Sequence, residues 1–513
     1  MKKIALISVS DKKDIDILAS KLIKNDYTIL STGGTAKHLI SKGIDIIPIS
    51  EFTNFDEILG GRVKTLHPII HAGILAKTQK DLDALDDKKY HLIDMVIVNL
   101  YPFERTVSNK NCTFNKAIEN IDIGGPTLLR ASAKNHERVT VLTEPEDYQN
   151  VINEIEKNGS LTKSIRRELA LKAFVKVSKY DAMIANYLLN NKNSENLLSS
   201  NINLMANELE ELRYGENPHQ KAKLYEVTAP KLTSLNYSQL SGKKISFNNL
   251  VDTESAYSCV DQFKEASCVI VKHANPCGVA SATSLDDAYK QAYKTDPTSA
   301  FGGIIAFNRK VTSALVEKII NKQFVEVIAA PAFDNKASEI IKVKPNVRLI
   351  KISLKKNSLV YEAKLLRNKL LIQEKDDKKL SRKNLKVVTN KKPSEKELND
   401  MLFAFKVSRY VKSNAIVIVK DMKTLAIGAG QMSRIDSTNI AIDKAKKEKI
   451  SLKGSVMASE AFFPFRDNVD LAKKIGVTAI IQPGGSINDS AIISVANKLK
   501  LSMCFSGTRV FKH

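Results

Sequence analysis

Residues 60–68 run Gly60-Gly61-Arg62-Val63-Lys64-Thr65-Leu66-His67-Pro68, a diglycine followed by two cations, a hydroxyl and a histidine. An arginine can clamp an oxyanion with two hydrogen bonds and a lysine adds a point charge, so the loop reads as an anion site. A surface loop with scattered basic residues would look the same. Upstream, Ser31-Thr32-Gly33-Gly34-Thr35 sits between an apolar run and a helical pattern. Glycines there let backbone N–H groups approach an oxyanion, hydroxyls donate, and the helix dipole adds to both. No Gly-Lys-Ser/Thr follows, so this is not a Walker A loop. A tight strand-to-helix turn would need the same glycines. Ser10-Asp11-Lys12 and Asp122-Ile123-Gly124-Gly125-Pro126 are two more polar loops, and Ala133-Lys134-Asn135-His136 places a lysine before a strand.

Further along, Lys272-His273-Ala274-Asn275-Pro276-Cys277-Gly278 follows a β-branched run. Histidine exchanges a proton near neutral pH, so His273 is a candidate general base, and Asn275, Pro276 and Gly278 suggest a tight loop. An isolated structural histidine is the plainer reading. The segment also invites a zinc-deaminase reading, which needs H-x-E and P-C-x-x-C. Here His273-Ala274-Asn275 lacks the glutamate, and Pro276-Cys277-Gly278 lacks the second cysteine.

These loops need elements to hold them. KIALISV (3–9) reads as a strand, Ile15, Leu18, Leu22 and Ile23 as a helix, TILST (28–32) as a strand and TAKHLISKG (35–43) as a helix. IDIIPI (44–49), MVIVNLYPF (95–103) and RVTVLTEP (138–145) add strands. The alternation predicts a parallel sheet covered on both faces, with ligands beyond the strands' carboxyl ends. An Asn- and Ser-rich stretch near 190–203 reads as a linker. A second unit starts near RYGENPHQ (213–220) and contains CVIVK (268–272), AIVIV (415–419) and TAIIQ (478–482). A Lys-rich span near 374–396 is a candidate subdivision. The expected domains are therefore 1–195 and 196–513.

The chain has 513 residues, 43% hydrophobic and 26% charged, which fits globular domains and not disorder or collagen. The apolar stretch Ile4–Val9 is too short for a signal peptide's core and no run reaches the ~18 residues of a membrane span. Five cysteines, with no C-x-x-C, suggest a reducing, cytoplasmic setting. Lys and Arg exceed Asp and Glu by 23, and residues 336–396 hold 19 basic and 6 acidic side chains. A solvated lysine face is the plain reading and a field attracting small anions the next. With no Trp and 6% aromatic residues, stacking surfaces for nucleic acid are scarce.

SVSDK, STGGT, GGRVKTLHP, NLYPF, DIGGPTLLRASAKNH and RYGENPHQ stand in this order, followed by LSGKKISFNNL, VKHANPCGVA, SAFGGIIAFN, GAGQMSR, ASEAFFPFRDN, QPGGSI and GTRVFKH. The set resembles the bifunctional purine-biosynthesis family that joins phosphoribosylaminoimidazolecarboxamide (AICAR) formyltransferase to inosine-monophosphate (IMP) cyclohydrolase. The likeness spans essentially the whole chain and is weakest over 336–396. It implies an α/β protein, with an N-terminal methylglyoxal-synthase-like parallel domain and C-terminal tandem cytidine-deaminase-like domains lacking zinc.

The resemblance implies that 10-formyltetrahydrofolate gives its formyl group to AICAR, producing FAICAR, and that FAICAR closes to IMP with loss of water. No metal, nucleic acid or membrane is implied, and a homodimer is. For formyl transfer it implies His273 as base, Lys272 as stabiliser of the tetrahedral intermediate and Asn414 near the moving carbon. Preorganised donors of this kind contribute roughly 3–4 kcal/mol each. AICAR recognition would fall to Arg213, Tyr214, Gly302, Glu326, Arg434, Phe462 and Arg509, together with His273 and Asn414. Folate would meet Ile435, Phe462, Asp467, Ser486 and Ile487, although a Phe in FFPF is as readily a core residue. For ring closure the likeness implies Lys134 as acid/base, with Lys64, Tyr101 and Asp122 around the alkoxide. Ser10, Asp11, Lys12, Ser31, Thr32, Gly33, Gly34, Thr35, Arg62, Lys64, Thr65, Asn99, Asp122, Ile123 and Gly124 would hold the nucleotide. Rival readings are an enzyme with one decayed site, a basic nucleic-acid binder and a nucleotide sensor without turnover.

Overall fold

The computed structural model describes residues 3–83, 90–109, 111–190, 202–229, 235–354, 361–376 and 378–513. The chain divides into two compact units, Met1–Met205 and Ala206–His513. Most of the expected 190–203 linker lies outside the described residues.

In the first unit, β1 (Lys3–Val9), β2 (Tyr27–Ser31), β3 (Ile47–Pro48), β4 (Met95–Asn99) and β5 (Thr140–Leu142) form one parallel sheet in the order β3-β2-β1-β4-β5. Every residue of β4 is buried, because helices cover both faces and a one-sided alternation would have nothing polar to face. The helix Ile15–Lys24 turns Ile15, Leu18 and Leu22 to the sheet and leaves Ile23 exposed, one position off that stripe. The helix expected at 35–43 starts earlier, at Gly33, so the two glycines form its first turn. The strand expected over 44–49 shrinks to Ile47–Pro48: Pro48 has no N–H for the ladder, and the chain goes straight into a helix over Ile49–Thr53. Strand order reverses between β1 and β4, and a ligand crevice opens outside the carboxyl ends at such a point.

The second unit has twelve described strands in one sheet. They are β8 (Leu235–Ser241), β9 (Ala266–Lys272), β10 (Asn275–Ala282), β11 (Gly303–Phe307), β12 (Val325–Ala330), β13 (Arg348–Leu354), β16 (Lys386–Val387), β17 (Ile416–Lys420), β18 (Lys423–Gly428), β19 (Val456–Ser459), β20 (Ala479–Gln482) and β21 (Ser502–Phe505). Two separate ribbons pair β6 (Met205–Glu211) with β7 (Lys223–Ala229) and β14 (Tyr361–Leu366) with β15 (Lys369–Glu374).

The large sheet is a duplicated arrangement. One half runs β10-β9-β11-β12-β13 and the other β18-β17-β19-β20-β21. In each, a 14-residue helix precedes an antiparallel hairpin, and helices then alternate with strands. The halves join edge to edge through β10 and β18, antiparallel, with Ala280 opposite Lys423. On one face of the sheet their apolar clusters are separate, one within 268–349 and one within 416–503. On the other face a single cluster runs from Leu212 to Val510 and serves both. The Lys-rich 374–396 span lies between the halves in sequence, and β16 within it pairs with β21 at the outer edge of the common sheet.

Candidate functional site

The loops after β1, β2 and β4 converge on a cavity of about 850 Å³ in the first unit. Asn99, at the end of β4, ties two of them together. Its Oδ1 accepts the N–H groups of Ser10 (2.6 Å) and Asp11 (2.9 Å), and its Nδ2 donates to Asp11 O (2.9 Å). Thr35 does the same from the Gly33–Ser41 helix: Val9 N–H donates to its hydroxyl (3.0 Å), which donates to Val9 O (2.9 Å). These bonds fix β1's exit against the neighbouring loops.

The cavity wall includes Ser10, Lys12, Thr32, Gly34, Thr35, Arg62, Lys64, Thr65, Asn99, Tyr101, Asp122, Ile123 and Gly124. Gly33 stands at its edge with φ 47°, in the left-handed region where glycine is unstrained. Side chains placed on Gly33 and Gly34 would point at the Lys64 Nζ and the Lys12 Nζ respectively, so both ammonium groups face the helix N-terminus. That arrangement focuses positive potential on one small volume. Arg62 pairs with Glu119 at the exposed mouth. Ser31 is spent within the sheet, donating to Ile7 O (2.9 Å), and Asp11 caps Lys13 N–H (3.0 Å).

Asp122 is the cavity's carboxylate. Its Oδ1 accepts Gly125 N–H (2.8 Å) and its Oδ2 accepts Tyr101 N–H (3.4 Å). Burial raises its pKa, opposed by those two N–H groups and by the Lys64 charge. The Asp122 N–H in turn donates to the Tyr180 hydroxyl (2.7 Å). Nothing in the sequence singles out Tyr180, which lies in the long helix Lys163–Asn190 and meets this loop only through the fold.

Lys134 is not brought to this cavity. It is exposed at the C-terminal end of the helix Gly124–Lys134, whose first turn lines the wall. Ten residues at 1.5 Å each put its backbone about 15 Å away along the axis. Of the residues expected around the alkoxide, Lys64, Asp122 and Tyr101 line the cavity.

In the second unit the expected residues gather along one rim of the sheet. The tight element is not the Asn275–Gly278 loop the sequence suggested, since those residues belong to β10. It is the two-residue turn His273–Ala274 joining β9 to β10. Both residues have positive φ, 51° and 57°, and neither is glycine. Such residues cost about 1–2 kcal/mol each, so something must hold them there. The Lys272 Nζ donates to Phe301 O (3.0 Å) and Gly302 O (3.2 Å), which ties it to the start of β11. Asn275 Oδ1 accepts Lys412 N–H (2.9 Å), which brings the loop before β17 to the turn.

In that loop Asn414 Nδ2 donates to Gln431 O (2.9 Å), and Ser437 Oγ donates to Asn414 O (2.8 Å). Arg434 stands nearby, its Nε donating to Ser459 Oγ (3.1 Å) and an NH group to the fully buried Glu460 (2.8 Å). Phe511 stacks under both guanidinium groups, 4.4 Å from Arg509 and 5.9 Å from Arg434. Arg213 lies over the Tyr214 ring at 5.2 Å.

Glu326 is committed to an ion pair with the buried Arg348 (2.9 Å), a partner absent from the sequence reading. On the expected folate side, Phe463 fills the core while Phe462 is half-buried. Asn488 Nδ2 donates to Pro464 O (2.9 Å), so the loop carrying Ser486 and the fully exposed Ile487 abuts the FFPF segment. Ile435 and Asp467 begin two helices joined by the Thr438 Oγ1 to Asn468 Oδ1 bond (2.6 Å). Among the described residues no three His, Cys, Asp or Glu side chains cluster as metal ligands would. Cys277 is buried, its thiol pushed up to about 12 by burial.

Residues 14–127 match the model of the MGS-like domain, and residues 132–444 match that of the AICARFT/IMPCHase bienzyme. A relative from Caldicellulosiruptor bescii, named bifunctional purine biosynthesis protein PurH, is 48% identical over 519 aligned positions, covering all of both chains. A solved structure titled "Crystal structure of ForH" is 34% identical and covers 36% of this chain and 98% of that one, with a TM-score of 0.32.

Proposed function

The chain belongs to the AICARFT/IMPCHase bienzyme family, and from that premise we propose how its two units share the work. Its activities are AICAR formyl transfer and IMP cyclohydrolysis in purine synthesis. We assign cyclisation to the first unit and formyl transfer to the second, the formyl donor being 10-formyltetrahydrofolate.

The observation that carries the first assignment is the cavity where Lys12, Lys64 and the N-terminus of the Gly33–Ser41 helix face one volume. A nucleotide 5′-phosphate fits that positive end. The carboxamide nitrogen of FAICAR then attacks its formyl carbon. The Lys64 ammonium and the Tyr101 hydroxyl lie on the wall to stabilise the alkoxide. Asp122, whose carboxyl holds its proton more tightly than usual, serves the proton transfer that releases water.

In the second unit the weakly nucleophilic 5-amine of AICAR attacks the formyl carbon of the folate. His273 takes the amine proton. Lys272 stabilises the oxyanion, and a proton reaches the departing folate nitrogen, giving FAICAR and tetrahydrofolate. Arg434 and Arg509, aligned by Phe511 and Glu460, supply cations for the nucleotide phosphate. A homodimer and a cytoplasmic setting complete the reading. The free state of all five cysteines supports the latter, and among the described residues no helix is long and apolar enough to cross a membrane.

The test is incubation with AICAR and 10-formyltetrahydrofolate, followed by chromatography. IMP shows both activities in the one chain. FAICAR without IMP leaves only the transferase, and binding without turnover makes the protein a sensor.

A further inference from the structure

Asp252 lies in the helix Phe247–Val260, six residues in, and its Oδ1 accepts the Ala274 N–H at 2.7 Å. The His273 N–H and the charges of His273 and Lys272 lie within electrostatic reach of this carboxylate and favour its charged form. One side chain thus holds the left-handed turn by the Ala274 N–H, with the His273 N–H facing the same carboxylate. On the other side of the turn Ala274 O accepts from Ser255 Oγ (3.0 Å), itself one helical turn beyond Asp252.

The duplicated half carries the same device. Asp400 is the sixth residue of the helix Glu395–Ser408. Its two oxygens accept the N–H groups of Asp421 (3.0 Å) and Met422 (2.8 Å). Those residues form the turn between β17 and β18, both with φ 56°. Burial raises both carboxyl groups, opposed by the turn N–H groups. The second turn, however, sits on the far rim. Met422 O accepts Ser281 N–H (3.0 Å), and Ser281 is six residues along β10 from Asn275. At 3.3 Å per residue that is about 20 Å from the His273 turn. The fold therefore contains one device used twice, with the proposed base mounted on only one copy.

We propose that Asp252 is a positioning residue for formyl transfer, fixing the His273–Ala274 turn so that the imidazole meets the AICAR amine. The proposal rests on His273 being the base. What Asp252 supplies is the place of its acceptor oxygens, not its charge. Misplacement of a reacting group by about 1 Å costs on the order of a hundredfold in rate.

The experiment compares five variants of the full chain by formyl-transfer kcat and KM, cyclisation of supplied FAICAR and thermal midpoint. Asp252→Asn keeps an acceptor in place without the charge and is expected to keep kcat within about threefold. Asp252→Glu keeps the charge but moves the acceptor, and its kcat is expected to fall at least tenfold with KM for AICAR nearly unchanged. Asp252→Ala and Asp400→Ala should lose similar thermal stability, yet only Asp252→Ala should lose formyl transfer, and both should still cyclise FAICAR. Equal kcat in the two alanine variants overturns the proposal, as does the reverse order of Asn and Glu. A His273→Ala variant that still transfers formyl overturns the reading beneath it instead.

Discussion

Gly33 and Lys64 face each other at the cavity of the first unit, where a methyl group on Gly33 would stand 3.5 Å from the Lys64 Nζ. On the proposed reading, the gap between them is where the helix N-terminus and the ammonium would both reach the nucleotide phosphate. Gly33→Ala adds left-handed strain of about 1 kcal/mol and fills that gap. KM for FAICAR is expected to rise about tenfold while formyl transfer stays unchanged. A cyclisation KM within twofold of the parent would show that the phosphate binds elsewhere.

Lys64 and Lys134 make a second contrast, since Lys64 lines the cavity and Lys134 does not. Lys64→Met should cut cyclisation by about a hundredfold through loss of a preorganised cation. Lys134→Met should cost no more than a few-fold. Supplied FAICAR and an IMP readout separate the two, and the opposite order would return the acid/base role to Lys134.

Asp122 prefers its proton more in the folded state than an ordinary carboxyl of 3.8 does, because burial outweighs its N–H bonds and the Lys64 charge. A raised folded value contributes stability in full below pH 3.8 and loses it as pH climbs through the raised value. Asp122→Asn abolishes that loss. The variant should melt higher than the parent at pH 7, the difference shrinking toward pH 4, while cyclisation drops at least tenfold. A lower midpoint at pH 7 with none at pH 4 would reverse the sign.

Arg348 is 2% exposed and its Nε has no partner, so Glu326 is the main neutraliser of a buried cation. Glu326→Ala leaves that charge unpaired. Because the Glu326 side chain is itself 36% exposed, the expected cost is about 2–3 kcal/mol, below that of a fully buried pair. Denaturant titration measures it. A change confined to KM for AICAR, with stability untouched, would make Glu326 a ligand contact alone.

Much of this was legible in the residues. β1, β2 and β4 are largely buried apolar runs, and the loops that follow them, together with the Arg62–Thr65 loop beyond β3, carry the cations and hydroxyls that meet in the cavity. What could not be read depends on contacts far apart in sequence. Asp252 and Asp400 sit in FNNLVDTES and EKELNDMLF, ordinary helical stretches whose carboxylates gain a role only when a hairpin folds over them. Tyr180 reaches Asp122 across 58 positions. The duplication of the second unit is one of topology: VIVK-HA-NPCG and VIVK-DM-KTLA share a strand and a turn, too little for a repeat to declare itself. The place of Lys134, at the far end of the helix Gly124–Lys134 and off the cavity wall, is set by that helix and not by its adjacency to a glycine motif.

The antiparallel seam between β10 and β18 settles how such a sheet apportions its labour. Each border combines the hairpin tip of one copy with the strand termini of the other, so the borders are alike in backbone and unlike in cargo. One border is occupied by the histidine tip and the arginine-bearing termini. Its counterpart is tipped by Asp421 and Met422, whose N–H groups are accepted by Asp400. On the proposed assignment neither copy expressed by itself would own a complete reaction centre, and fusion of the pair would be a condition of the chemistry.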